Sequence, residues 1–241
     1  MKTLHKTALV LLALTVQGCV IDLDHHHEPH RRRHLAPVDR GHLGAVCSAD
    51  YQCASGLACV FGSCEPERVG IYVHGALVGP GRADGREWDA GYAVPRYVWR
   101  ELDLARSAGV DALFDFMWSF SQSGYSAPDV FGYAYMAVDG RYDDALTIAL
   151  AEPHRRLHDT FEVIWPEVSG WTDVPLHEGL WIAIDLFDHD RDGDESIGLV
   201  EIDAWGILEA LRIGGVVWFD AWDATDGQLL LVGIEVVSES W

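Results

Sequence analysis

The sequence predicts a mainly β protein: an antiparallel sandwich interrupted by a helical insertion and preceded by a small disulfide-stapled segment. Three observations carry that expectation. Short runs rich in β-branched and aromatic residues recur from Val69 onward with turn signals between them. Between Pro95 and Phe120 the apolar residues fall at helical spacing instead. Four cysteines, Cys47, Cys53, Cys59 and Cys64, crowd a stretch with almost no apolar pattern.

The chain has 241 residues, 49% of them hydrophobic, enough for one large core plus small appendages. Its formal charge is −21, and residues 1–46 carry six Lys/Arg against four Asp/Glu, so the rest holds −23. That acidity disfavours a nucleic-acid partner, and it disfavours docking on anionic lipid unless cations bridge the two surfaces.

Residues 1–18 have the layout of a secretory signal: Lys2 and Lys6, the apolar run Ala8 to Val16, then small residues before Cys19. The run is too short to span a membrane, and the protein is expected to be exported. Val16-Gln17-Gly18-Cys19 resembles the lipobox of bacterial lipoproteins, which implies cleavage before Cys19 and acylation of that cysteine. With Val20 after it, the resemblance favours the outer membrane over the inner in a double-membraned bacterium. Acyl chains on one residue would hold the protein at a bilayer without help from the folded part. Residues 19–46 then read as a polar linker, with His25, His26, His27, His30, His34 and His42 and the run Arg31 to Arg33. Such a tract buries too little surface to offset its ordering entropy.

In an exported chain the four cysteines of segment 47–66 are most simply two disulfides, with three connectivities open. A zinc site fits less well, because the spacings of five, five and four exceed those of most zinc ligand pairs. The segment is expected to act as a rigid spacer.

From residue 68 to the C-terminus the strand candidates are Val69 to Leu77, Val130 to Val138, Leu146 to Leu150, Trp181 to Phe187, Ile197 to Ile202, Val216 to Trp222 and Leu229 to Val237. Asp139-Gly140 and Asp226-Gly227 are hairpin turn pairs. Pro95 to Ala108 and Val110 to Phe120 read as helices split by Gly109, and Asp203 starts a short helix reaching Leu211.

Trp181 to Phe187 runs into Asp185, Asp188, Asp190, Asp192, Asp194 and Glu195, closed by Ile197-Gly198. Carboxylates this dense repel one another unless a hard cation sits among them, and Ca²⁺ takes about six to eight oxygens. The stretch reads as a strand ending in a cation-binding loop. The opening Asp188, Asp190, Asp192, Gly193 also suits a helix-loop-helix calcium site. Its eighth and twelfth places are then Glu195 and Leu199, where that loop needs an apolar residue and Glu.

These pieces resemble a C2 domain. The matches are Ser126-Ala127-Pro128-Asp129-Val130-Phe131, then Thr160 to Trp165-Pro166-Glu167, and above all Leu180 to Arg191 followed by Asp194-Glu195-Ser196-Ile197-Gly198. The resemblance implies an eight-stranded antiparallel sandwich whose loops at one end bind Ca²⁺. Carried over by position, it makes Asp188 and Asp190 the shared ligands, Glu195 or Asp194 the third acid, and Asp129 the ligand from the opposing loop. A further Asp that the family has before Asp129 is missing locally; Asp89 or Asp84 could supply it. Expected affinity lies in the weak extracellular range, about 10⁻⁴ to 10⁻³ M.

The function this implies is a calcium-dependent contact with phospholipid or a surface protein by a module anchored at the membrane. A surface protein working without metal is the second class. Catalysis is the third, since the sequence holds no Gly-x-Ser-x-Gly elbow and no His-Glu-x-x-His. His154 and His158 could share a metal only if they lay on one helix, where Pro153 is unfavourable.

Overall fold

The computed structural model describes residues 41–89, 91–138, 141–190 and 193–239. Cys19, the signal segment, most of the histidine-rich tract, the Asp139-Gly140 turn and Asp192 lie outside them.

Eight strands form two four-stranded antiparallel sheets. In chain order the structure first forms a small hairpin, β1 (Leu57–Val60) and β2 (Ser63–Pro66). The sandwich strands follow as β3 (Arg68–Val78), β4 (Val130–Val138), β5 (Arg141–Ala151), β6 (Glu162–Pro175), β7 (Leu180–Asp190), β8 (Gly193–Asp203), β9 (Val216–Asp220) and β10 (Leu229–Ser238). One sheet has the order β6-β3-β10-β9 and the other β5-β4-β7-β8. Their inner faces meet over Ile71, Val73, Ala134, Ile182, Ile184, Leu186, Val232 and Ile234, all buried.

The helical insertion is α1 (Arg96–Ala108) and α2 (Val110–Ser121), divided by Gly109 at φ 115°, a conformation that favours glycine. Its buried stripe, Val98, Leu102, Leu113, Met117 and Phe120, joins the main core. Phe114 meets Trp218 of β9 edge-on at 4.9 Å, and Phe120 meets Phe161 beside β6 at 5.3 Å. A Cβ on Gly233 would stand 2.9 Å from the Trp218 ring, so glycine there is what lets the indole lie on the sheet. The third helix, α3 (Ala204–Ile213), begins at Asp203, whose carboxylate accepts from the Gly206 N–H at 2.9 Å, a standard N-cap.

Two features differ from the sequence reading. The described part of the acidic stretch is strand, not loop: β7 continues through Asp188 to Asp190, and β8 begins at Gly193, so Asp188 pairs with Glu195 and His189 with Asp194. Asp226-Gly227 closes no two-residue turn, since β9 and β10 are joined by residues 221–228. His154 and His158 share no helix, in line with Pro153 between the strands: Pro153–Arg155 is a single 3₁₀ turn, and the two histidines turn to Glu152 and Asp129.

The cysteine-rich segment pairs Cys47 with Cys59 and Cys53 with Cys64. The segment expected to be a rigid spacer is docked on the sandwich. Buried Glu65 accepts from Arg212 of α3, and Phe61 packs edge-on against Trp205 at 5.3 Å.

Candidate metal centre

Along β7 the alternating series Leu180, Ile182, Ile184 and Leu186 is buried, and its next two members are Asp188 and Asp190. The pleat therefore carries two carboxylates onto the core-facing side just where the apolar stripe runs out at the rim. Val130 of β4 pairs with Asp188, which brings Asp129 alongside. The Asp129 N–H donates to Asp188 Oδ1 at 2.7 Å, and the His189 N–H donates to the Asp129 carbonyl at 3.0 Å.

The third segment arrives from the connection between β3 and α1. Trp88 is wholly buried and its indole N–H donates to the Gly79 carbonyl at 3.0 Å. That anchor folds the connection back over the rim and delivers Asp89 there, with the Asp89 N–H donating to Ser126 Oγ at 3.1 Å. Asp89, Asp188 and Asp190 each present an oxygen within 4.8 Å of the other two.

Asp188 is the exceptional member. Its side chain is 0% exposed, and Oδ2 is buried without a hydrogen-bond partner among the described residues. Burying half a carboxylate unpaired is costly, so the proton is favoured over the charge. Desolvation first, then the neighbouring charges of Asp190 and Asp89, push its pKa up to about 7, although the Asp129 hydrogen bond pulls the other way. Asp89 is raised to about 6 by desolvation and by Asp190, Asp129 and Asp159.

The other predicted residues are near but otherwise engaged. Burial alone would raise the Asp129 carboxyl, but the Arg156 guanidinium at 2.9 Å, the Asp159 N–H at 3.1 Å and His158 at 3.1 Å outweigh it, and its pKa is lowered. Glu195 and Asp190 both receive Arg82, at 2.6 and 3.1 Å. Asp194 turns to His189 at 2.5 Å, and Asp84 pairs with Arg86 at 3.5 Å. Sequence reasoning did not single out Arg82 or Arg156. Arg82 meets its acids across more than 100 residues, and the folding of the β3–α1 connection over the ends of β7 and β8 brings them together.

Arg82, Asp89, Asp129, Arg156, His189, Asp190 and Glu195 line an open cleft of about 620 Å³. Its floor is a set of oxygen donors with excess negative charge, the chemistry that suits a hard divalent cation over a soft transition metal.

No protein-family model and no curated protein matches the chain. Among solved structures it is similar to a C2 domain of a plant extended synaptotagmin 1, at 11% identity and TM-score 0.38, over 73% of this chain and 95% of that one. It is also similar to the calcium-bound pair of C2 domains of extended synaptotagmin 2, at 17% identity and TM-score 0.37, over 70% of this chain and 45% of that one. Human GIVD cytosolic phospholipase A2 is similar at 14% identity and TM-score 0.38, over 72% of this chain, which spans 17% of the phospholipase. The two-sheet architecture stands on this chain's own strand pairing, not on these likenesses.

Proposed function

We propose that this chain is a C2-like calcium-binding module, exported and tethered to a membrane through Cys19, that makes calcium-dependent contact with a membrane surface. The observation that carries the reading is the buried, half-satisfied Asp188 carboxylate facing Asp89 and Asp190. A hard cation supplies at one point what the protein leaves out, namely a ligand for the orphaned oxygen and positive charge among three close carboxylates. Asp89, Asp188 and Asp190 would hold the ion, with Asp129 positioning Asp188 through its main chain.

An ion there would fix the connection before α1 to the ends of β4 and β7. It would also lower the negative potential of the rim, which otherwise repels anionic headgroups. Beside the rim, Phe114, Met117, Trp118, His158, Asp159 and Ile164 border a second groove of about 350 Å³. Trp118 and Ile164 are 65% and 63% exposed, which suits an apolar contact next to the bridged headgroups. Among the described residues no helix is long and apolar enough to cross a membrane. We read the site as one for binding, not catalysis.

The test is thermal unfolding of the purified protein with and without millimolar Ca²⁺. Calcium is expected to raise the midpoint, and Mg²⁺ at the same concentration to do so less, because it demands tighter octahedral coordination. No shift with Ca²⁺ would favour the metal-independent surface protein.

A further inference from the structure

We propose that Arg82 is a resident cation of the acidic cleft and limits it to a single divalent ion. The inference rests on the calcium reading above and concerns how many ions that site accepts.

Five carboxylates gather at this rim: Asp89, Asp129, Asp188, Asp190 and Glu195. They fall into three groups by what faces them. Asp129 is held by Arg156 and His158. Glu195 is held by Arg82, which also reaches one oxygen of Asp190. Asp188 and Asp89 have no guanidinium on them among the contacts of the described residues. A Ca²⁺ ion sits about 2.3–2.6 Å from its oxygens. One bridging Asp190 and Glu195 would occupy the space of the Arg82 terminal nitrogens, which lie 3.1 and 2.6 Å from those same carboxylates.

Arg82 is built into that place. Its backbone is locked in a turn, with the Arg82 N–H donating to the Arg86 carbonyl at 2.7 Å and the Gly85 N–H donating to the Arg82 carbonyl at 2.8 Å. Gly81 permits the turn, because a Cβ there would collide with the Arg86 carbonyl oxygen. The fork then spans three segments: one terminal nitrogen donates to Glu195 on β8, the other to Asp190 on β7 and to the Trp88 carbonyl. Its Nε is buried without a partner among the described residues. Its contacts to two carboxylates make it a fixed positive charge in the cleft. With Arg82 and Arg156 in place the five carboxylates retain a formal excess of three negative charges, and removing Arg82 raises it to four, the charge of two divalent ions.

The experiment is Ca²⁺ titration by calorimetry on the purified protein, on Arg82→Gln and on Glu195→Gln, with the unfolding midpoint of each recorded in chelator. The wild type is expected to take up one ion, Arg82→Gln two, and Glu195→Gln one with affinity within about fivefold of wild type. If Arg82→Gln folds and still binds one ion, the proposal is overturned while the calcium reading stands. If Arg82→Gln does not fold, Glu195→Gln decides: loss of binding would put the ion on Glu195 and overturn the proposal, and retention supports it. A wild-type isotherm without heat overturns the calcium reading, and this proposal with it.

Discussion

The main-chain N–H of Asp129 satisfies one oxygen of the Asp188 carboxylate at 2.7 Å and leaves the other buried with nothing to accept from among the described residues. Folding thus places a charge where only a proton or a cation relieves it. The ordinary carboxylate value is 3.8, and Asp188 stands near 7 and Asp89 near 6 in the folded chain. Between those values the folded state binds more protons than the unfolded one, so stability without calcium falls as pH rises. The favourable contribution is complete below about pH 4 and is lost as pH passes through about 7. Asp129, with its pKa lowered, acts in the opposite sense and loses its contribution as pH falls. Asp188→Asn keeps an acceptor for the Asp129 N–H and removes the charge. In chelator at pH 8 it should be more stable than wild type by on the order of 2 kcal/mol, with the gap closing toward pH 5. Urea denaturation across pH 5 to 8 measures this; a gap that does not change with pH would contradict it.

Asp89 separates binding from stability. It is exposed and lies on a connection held by Trp88, not by its own carboxylate. Solvent screens most of the repulsion on a side chain so placed, so Asp89→Asn should shift stability in chelator by less than about 1 kcal/mol, while weakening calcium about tenfold. Paired calorimetry and denaturation check both halves, and a large loss of stability without calcium would show that the side chain is structural.

Glu65 links the disulfide segment to the sandwich through Arg212. It is 3% exposed, and its partner Arg212 is partly open to solvent. Arg212→Ala leaves a buried carboxylate unpaired and should cost about 1 to 3 kcal/mol. Urea denaturation gives the loss, and limited proteolysis should show earlier cutting in residues 41–66. Unchanged stability would mean that the segment is held by its other contacts, among them Phe61 with Trp205, the Phe61 N–H on Glu178 and Val60 in the main core.

The disulfide pairing is checked directly. Peptide mapping under non-reducing conditions should recover Cys47 with Cys59 and Cys53 with Cys64. Each closes a loop of about a dozen residues, worth about 2 to 3 kcal/mol, so reduction should loosen residues 41–66 before the sandwich melts.

Much of this architecture is legible in local sequence. The alternation through Ile182, Ile184 and Leu186 marks β7, and Asp203 ahead of an apolar run marks α3, because pleat and N-cap act within a few residues. The acidic hairpin was not legible, since Asp disfavours strands and the segment is strand only because β4 and β7 continue their pairing to the rim. Asp188 and Asp190 could be singled out from their spacing, but not that one is sealed and the other paired with Arg82. That distinction is made by the Trp88 anchor and the Gly81–Arg86 turn, whose contacts with β7 and β8 span about a hundred residues of chain.

Direct calcium titration of the wild type and Asp188→Asn, by calorimetry at pH 7.5, tests the central claim. Saturable binding by the wild type, with a dissociation constant of about 10⁻⁴ to 10⁻³ M, and none by Asp188→Asn is the predicted result. Equal binding by the two proteins, or no binding by the wild type, would contradict it.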